Sequence, residues 1–221
     1  MRCRVRLLVA VGLLAIGWGE SVCDEPKIPG TITVAAADSR DRQRADLVAD
    51  GHDDAAQLRE AMARLGNNGG VVRLLPGHYR LDSAGSLVDV PSGTTLDGGG
   101  SAVLECLVSG QQGALRFSDV HDVVVRGVRF TSSGDDKAAM FAMMNVGTGK
   151  SRDVTVRDCR FSGFRNYALR MNMPGTRFRF IHNHLEGMGL VGKGGSAING
   201  ARMIDSLIGW NTVRRCGVDA G

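Results

Sequence analysis

The sequence predicts an all-β chain wound as a parallel β-helix, with three short strands per coil and one α-helix capping the N-terminal end. The first observation is self-similarity. Four segments lie over one another: VVVRGVRF (Val123–Phe130), VTVRDCRF (Val154–Phe161), FRFIHNHL (Phe178–Leu185) and SLIGWNTV (Ser206–Val213). One column reads Val125, Val156, Phe180, Ile208. Three residues on it reads Val128, Cys159, Asn183, Asn211, and two further on Phe130, Phe161, Leu185, Val213. The first column repeats at intervals of 31, 24 and 28 residues, so the pattern is held while the connecting loops vary. Such a period marks a repeat architecture. The second observation is strand alternation within each copy. The third is a further short strand between copies: Ala114–Phe117, Met140–Asn145, Tyr167–Met171 and Ala197–Asn199. Each copy therefore supplies about three strands and three turns.

Taken in chain order, the first 22 residues read as a secretory signal peptide. Arg2, Arg4 and Arg6 precede an apolar run from Leu7 to Trp18, followed by small residues. That run is too short to span a bilayer comfortably. The β-helix domain is expected over 30–221. It opens with the strand candidate Thr31–Asp38. The one confident helix is expected over 53–66: Leu58, Ala61, Met62 and Leu65 share a face, Asp54 with Gln57 predicts a capping box, and Gly66 stops it. Repeats fill about 70–221. Two strands are expected around Pro76-Gly77 and two more around Gly98-Gly99-Gly100. A helix–turn–helix repeat is excluded because no copy holds a second run at helical period. A leucine-rich repeat is excluded because its Leu and Asn positions are missing.

A parallel β-helix buries three strands per copy by pairing each with its equivalent in the next coil. Equivalent columns then stack, and Asn183 with Asn211 begins an Asn ladder, since Asn tolerates a tight turn and its amide can bond the next coil. The helix covers the first coil, whose edge and core would otherwise be bare. No equivalent cap follows the last repeat, which suggests a truncated chain or an end covered by another subunit.

Charge and cysteine content narrow the function classes. The formal charge of +4 includes the three leader arginines and Glu20, so the mature chain lies near +2. The high pI is therefore no argument for a nucleic-acid partner. No later segment is long enough to span a membrane. Export permits disulfides among Cys23, Cys106, Cys159 and Cys216, although Cys159 in a repeat column reads equally well as a small buried side chain. No cysteine or histidine pair has zinc spacing.

The motifs Gly51-His52-Asp53-Asp54 to Ala61, Gly69-Gly70-Val71-Val72, Leu75-Pro76-Gly77-His78-Tyr79 and Pro91-Ser92-Gly93-Thr94-Thr95-Leu96-Asp97-Gly98-Gly99-Gly100 resemble the N-terminal portion of secreted right-handed β-helix proteins of the pectate-lyase-like superfamily. The repeats resemble that family's V-x-V-x-x-N-x-F unit, and the resemblance covers nearly all of the mature chain. It implies a right-handed parallel β-helix and a binding groove along the exposed face of the first sheet in each coil. It does not choose an activity, since the superfamily includes lyases, hydrolases, epimerases and proteins without a known reaction.

Strand alternation supplies the site candidates. With Leu115, Phe117, Leu169, Met171 and Ile198 inward, Arg116, Arg170 and Asn199 face outward together. Two arginines in line could hold sugar carboxylates in bidentate fashion, or be ordinary surface residues. Asp135 and Asp136, in Ser133-Gly134-Asp135-Asp136-Lys137, are a candidate catalytic carboxylate pair or Ca²⁺ ligand, or a solvated turn. The N-T-D and G-H-G signatures of the related hydrolases are absent. Lys193, in the loop Glu186–Gly195, is a candidate base for a lyase in which Arg170 or Ca²⁺ neutralises the uronate; a plain surface lysine is the other reading. His182 and His184 read as solvent-facing turn residues. The expectation is a secreted, periplasmic or cell-surface protein that cleaves an acidic, uronate-containing polysaccharide by elimination or hydrolysis. The alternative is a non-catalytic surface or structural β-helix that binds glycans or other chains.

Overall fold

The computed structural model describes residues 30–83, 85–107, 113–135, 137–189 and 197–217. The expected leader, Cys23, Asp136 and Lys193 lie outside them. Within them the chain is a parallel β-solenoid with a single short α-helix near its N-terminus.

The aligned columns are the axis of the fold. Strands Gly70–Leu74, Thr94–Cys106, His121–Ser132, Ser151–Arg157, Arg179–Ile181 and Leu207–Gly209 pair in parallel. Their register stacks Val72, Leu96, Val125, Val156, Phe180 and Ile208 on successive rungs. A second column stacks Tyr79, Leu104, Phe130, Phe161, Leu185 and Val213. The rings of Phe130 and Phe161 lie 5.1 Å apart and nearly parallel, which is the rung spacing expressed in side chains. The strands between copies form a separate five-stranded parallel sheet, in the order Val88–Asp89, Leu115–Ser118, Phe141–Val146, Tyr167–Met171 and Ile198–Asn199. Val88–Asp89 was not expected from the sequence.

The corner between the two stacked columns is one residue in the left-handed region followed by one turned inward. The left-handed residues are Gly127, Asp158, His182 and Trp210, with φ of 62°, 55°, 55° and 53°. The inward residues are Val128, Cys159, Asn183 and Asn211, and the last two form the expected ladder. The Cys159 N–H donates to Asn183 Oδ1 at 3.0 Å, and Asn183 Nδ2 donates to the Val156 carbonyl at 3.0 Å. One rung on, the Asn183 N–H donates to Asn211 Oδ1 at 2.8 Å, and Asn211 Nδ2 donates to the Phe180 carbonyl at 2.8 Å. Each amide thus satisfies backbone groups that the corner takes out of the sheet ladder.

Two local expectations are corrected. Gly98-Gly99-Gly100 does not separate two strands. It is a bulge inside the single strand Thr94–Cys106, lying between the pairs Asp97↔Arg126 and Ala102↔Val128. Both halves keep register with the next coil, so the insertion loops out at the corner. Glycine is needed there: a Cβ on Gly98 would lie 2.6 Å from the Gly127 carbonyl oxygen. Nor does the capping box form. The helix runs Ala55–Leu65, and its N-cap Asp54 makes no capping bond to it. Asp54 instead accepts the Gly51 N–H at 2.9 Å and the Arg80 N–H at 2.7 Å, tying the helix start to strand Gly77–Leu81. Asp53 accepts hydroxyl hydrogens from Ser83 and Ser86 at 2.7 and 2.5 Å. Burial acts to raise its pKa, but these bonds and the Ala55 N–H outweigh that and hold the carboxyl below its ordinary range. The adjacent acids clamp the cap to two different segments.

The helix buries Ala55, Leu58, Ala61, Met62 and Leu65 against the first coil, as its periodicity predicts. At the opposite end the same core columns are open: Ile208 is 47% and Val213 52% exposed, whereas Val156 and Phe161 are buried. Cys106, Cys159 and Cys216 are free thiols. Parallel register sets them in different columns, Cys106 level with Leu81 and Ser132 and Cys159 level with Asn183, so these three do not pair with one another, and Cys159 is the small buried side chain of its column. Burial pushes both Cys106 and Cys159 up to about 12, which keeps them protonated.

Replacing Asn183 with Ala strands the Cys159 N–H and the Val156 carbonyl without replacing either bond. The expected loss is about 2–4 kcal/mol in urea unfolding of the whole chain, with Asn183→Asp also destabilising because a carboxylate cannot donate to the carbonyl.

Candidate functional site

The outer face of the five-stranded sheet gathers the sequence-predicted binding residues into one line. Register places Asp89, Arg116, Met144, Arg170 and Asn199 on successive rungs. Their neighbours Leu115, Met143 and Leu169 are buried, so the line lies on the outer side of the sheet as strand alternation requires, with Met144 itself covered at 5% exposure. Arg116 and Arg170 are not on adjacent rungs, however. Met144 stands between them, which sets their backbones about 10 Å apart.

The two arginines differ in what already holds them. Arg116 makes a bidentate pair with Asp89, Nε to Oδ1 and Nη2 to Oδ2, both at 2.5 Å. Those hydrogen bonds raise its pKa further. The pair is half-exposed, so it contributes on the order of 1 kcal/mol or less to stability, but it neutralises Arg116 as an anion ligand. Arg170 instead lies over the Phe141 ring, 4.7 Å from its centroid, and the Phe141 ring stacks on Tyr167 at 5.9 Å. Among the described residues it has no carboxylate partner. An aromatic platform orients a guanidinium while leaving its edge donors available.

At the helix end the face runs into a cleft of about 630 Å³. Arg59, Met62 and Ala63 of the helix wall one side; Asp89, Pro91 and Arg116 line the other. Arg59 donates to the carbonyls of Gly85 and Leu87, the latter at 3.2 Å. The sequence argument missed this cleft, because the strand Val88–Asp89 has only two residues. The signal was present nonetheless: Val88-Asp89 repeats the apolar-then-charged order of Leu115-Arg116 one coil later.

Asp135 lies in the turn after strand His121–Ser132. It accepts the Ser133 hydroxyl at 2.5 Å and the Lys137 N–H at 2.9 Å. The Ser133 bond, then the Lys137 N–H, holds its carboxyl below the usual range, so it is ionised at neutral pH. Among the described residues no group of three or more His, Cys, Asp or Glu side chains is arranged to hold a metal ion. His184 lies 3.5 Å from Glu186, and His182 stacks on Trp210 at 5.3 Å. Both stand at the surface corner rather than on the arginine face. Among the described residues no helix is long and apolar enough to cross a membrane. No family model matches the chain, and no curated protein is similar to it.

Asp89→Asn removes the charge that occupies Arg116 and leaves its guanidinium available. The expected result is tighter binding of sulfate, used as a probe anion, by about threefold to tenfold at low salt, with unfolding stability changed by less than about 1 kcal/mol. Calorimetric titration and urea unfolding read the two effects separately.

Proposed function

We propose that this chain is a secreted carbohydrate-active β-helix protein, allied to the pectate-lyase-like superfamily, that holds an acidic polysaccharide along the outer face of its five-stranded sheet. The observation that carries this reading is Arg170: a cation seated on an aromatic ring, on the outer side of the sheet, with no carboxylate partner among the described residues. A uronate carboxylate fits its free edge in bidentate geometry. Asn199 on the next rung offers an amide for a sugar hydroxyl.

The residue set suits β-elimination. A base removes the proton α to the uronate carboxylate, the electron pair forms the C4–C5 double bond, and the C4 glycosidic oxygen leaves with a proton. Arg170 stabilises the charge that builds on the carboxylate, and Lys193 is the proposed base. Ca²⁺, with Asp135 and Asp136 as the proposed ligands, would neutralise the same carboxylate. Hydrolysis with Asp135 as general acid is less well supported, because the Ser133 and Lys137 bonds keep that carboxyl ionised and a general acid needs a raised pKa. That same engagement of Asp135 favours, as a second reading, a non-catalytic β-helix that binds the glycan without cleaving it.

The mature protein is incubated with polygalacturonate, alginate and rhamnogalacturonan, with and without Ca²⁺, while ultraviolet absorbance of unsaturated uronate and new reducing ends are followed. Elimination predicts the absorbance, and Lys193→Ala abolishes it. Arg170→Ala is expected to weaken glycan binding about tenfold or more. Binding without either product establishes the non-catalytic reading. Unchanged affinity in Arg170→Ala refutes this face.

A further inference from the structure

We infer that the cleft between the capping helix and the sheet is a terminal subsite, taking the last acidic sugar of a glycan chain. This rests on the proposed glycan-binding face and adds where on that face a chain must stop. The outward line ends at Asp89. Among the described residues no further rung lies beyond it, and the helix, with Arg59 and Ala63, stands across the path. A polysaccharide lying over Asn199 and Arg170 can run on past Asn199, but in the other direction it meets this wall.

Charge and shape say what fits. Arg59 and Arg116 supply two positive charges to the lining and Asp89 one negative, so a single anionic group balances the cleft. Arg116 is already held by Asp89. Among the described residues Arg59 donates to the neutral carbonyls of Gly85 and Leu87, and those do not cancel its charge. Asp53, whose field Arg59 also feels, is engaged by Ser83 and Ser86 and does not line the cleft. The carboxylate of the terminal uronate therefore belongs at Arg59. The Ala63 and Pro91 side chains offer apolar surface to the C–H face of its ring, and the Asp89–Arg116 pair presents an acceptor and donors to its hydroxyls. A volume of about 630 Å³ is in the range of small-ligand sites, enough for one or two sugar residues and too little for a chain passing through.

The test uses Ala63→Trp, which fills the cleft from an exposed helix position without touching the Arg59, Asp89 or Arg116 bonds. Calorimetric titrations with mono-, tri- and hexagalacturonate, and with the corresponding alginate oligomers, are made on wild type, Ala63→Trp and Arg170→Ala. The expected pattern is that wild type binds the monouronide, Ala63→Trp weakens it about tenfold or more with unfolding unchanged, and Arg170→Ala leaves the monouronide alone but weakens the hexamer. At equal uronate mass, wild type also binds a partial hydrolysate better than the long polymer, because the hydrolysate carries more ends. If Ala63→Trp binds every oligomer as wild type does while Arg170→Ala weakens the hexamer, the terminal subsite is wrong and the glycan face stands. If wild type binds no acidic oligomer at all, the glycan face fails and the subsite with it.

Discussion

Parallel in-register pairing between successive coils is the constraint on which this structure depends. Every strand finds its partner one turn away in the chain, so a side chain at any position is stacked on its equivalents above and below. That is why Val125, Val156, Phe180 and Ile208 must all be apolar and why loops of unequal length can be tolerated. It also makes the interior a set of columns rather than one shuffled core. Phe130 lies flat on Phe161 because their backbones are paired, not because aromatic attraction brought distant segments together.

The constraint moves the difficulty to the corners. A β-helix must bend sharply at the same place in each coil, and the bend removes backbone groups from the ladder. Residues in the left-handed region, among them Asp158, His182 and Trp210, cost about 1 kcal/mol each in conformation. The inward Asn183 and Asn211 offset this by bonding the groups that the bend exposes. Where the corner holds Val128 and not Asn, the neighbouring strand carries the Gly98–Ser101 bulge, and Gly127 takes the left-handed position. The ladder begins only where the bulge is absent, so the two devices serve successive parts of the same corner.

Function draws on the face that the core leaves over. Because pairing fixes the rungs, outward residues fall into lines with regular spacing, suited to a ligand that is itself a repeating chain. The line is not uniformly charged. Asp89 cancels Arg116, the buried Met144 interrupts, and Arg170 rests on Phe141 with no carboxylate partner among the described residues. Placing a cation on an aromatic ring fixes its direction at little electrostatic cost. The helix that closes the core at one end is also the wall that ends this line, so one element caps the fold and bounds the site.

Much of this was legible in the sequence alone. The repeat columns, the single amphipathic helix, the Asn ladder and the outward direction of Arg116, Arg170 and Asn199 all follow from periodicity, because a solenoid's tertiary contacts repeat its local pattern. The sequence could not decide which charges meet across coils. Asp89 and Arg116 are 27 residues apart, and nothing local says that their rungs adjoin. Nor could it separate a turn from a bulge at Gly98-Gly99-Gly100, since both need the same residues and only pairing with the next coil distinguishes them. The reassignment of Asp54 from capping the helix to tying it to Arg80, beside Asp53 on Ser83 and Ser86, has the same cause. A carboxylate near a helix start has several donors within reach, and tertiary packing alone determines which of them arrive.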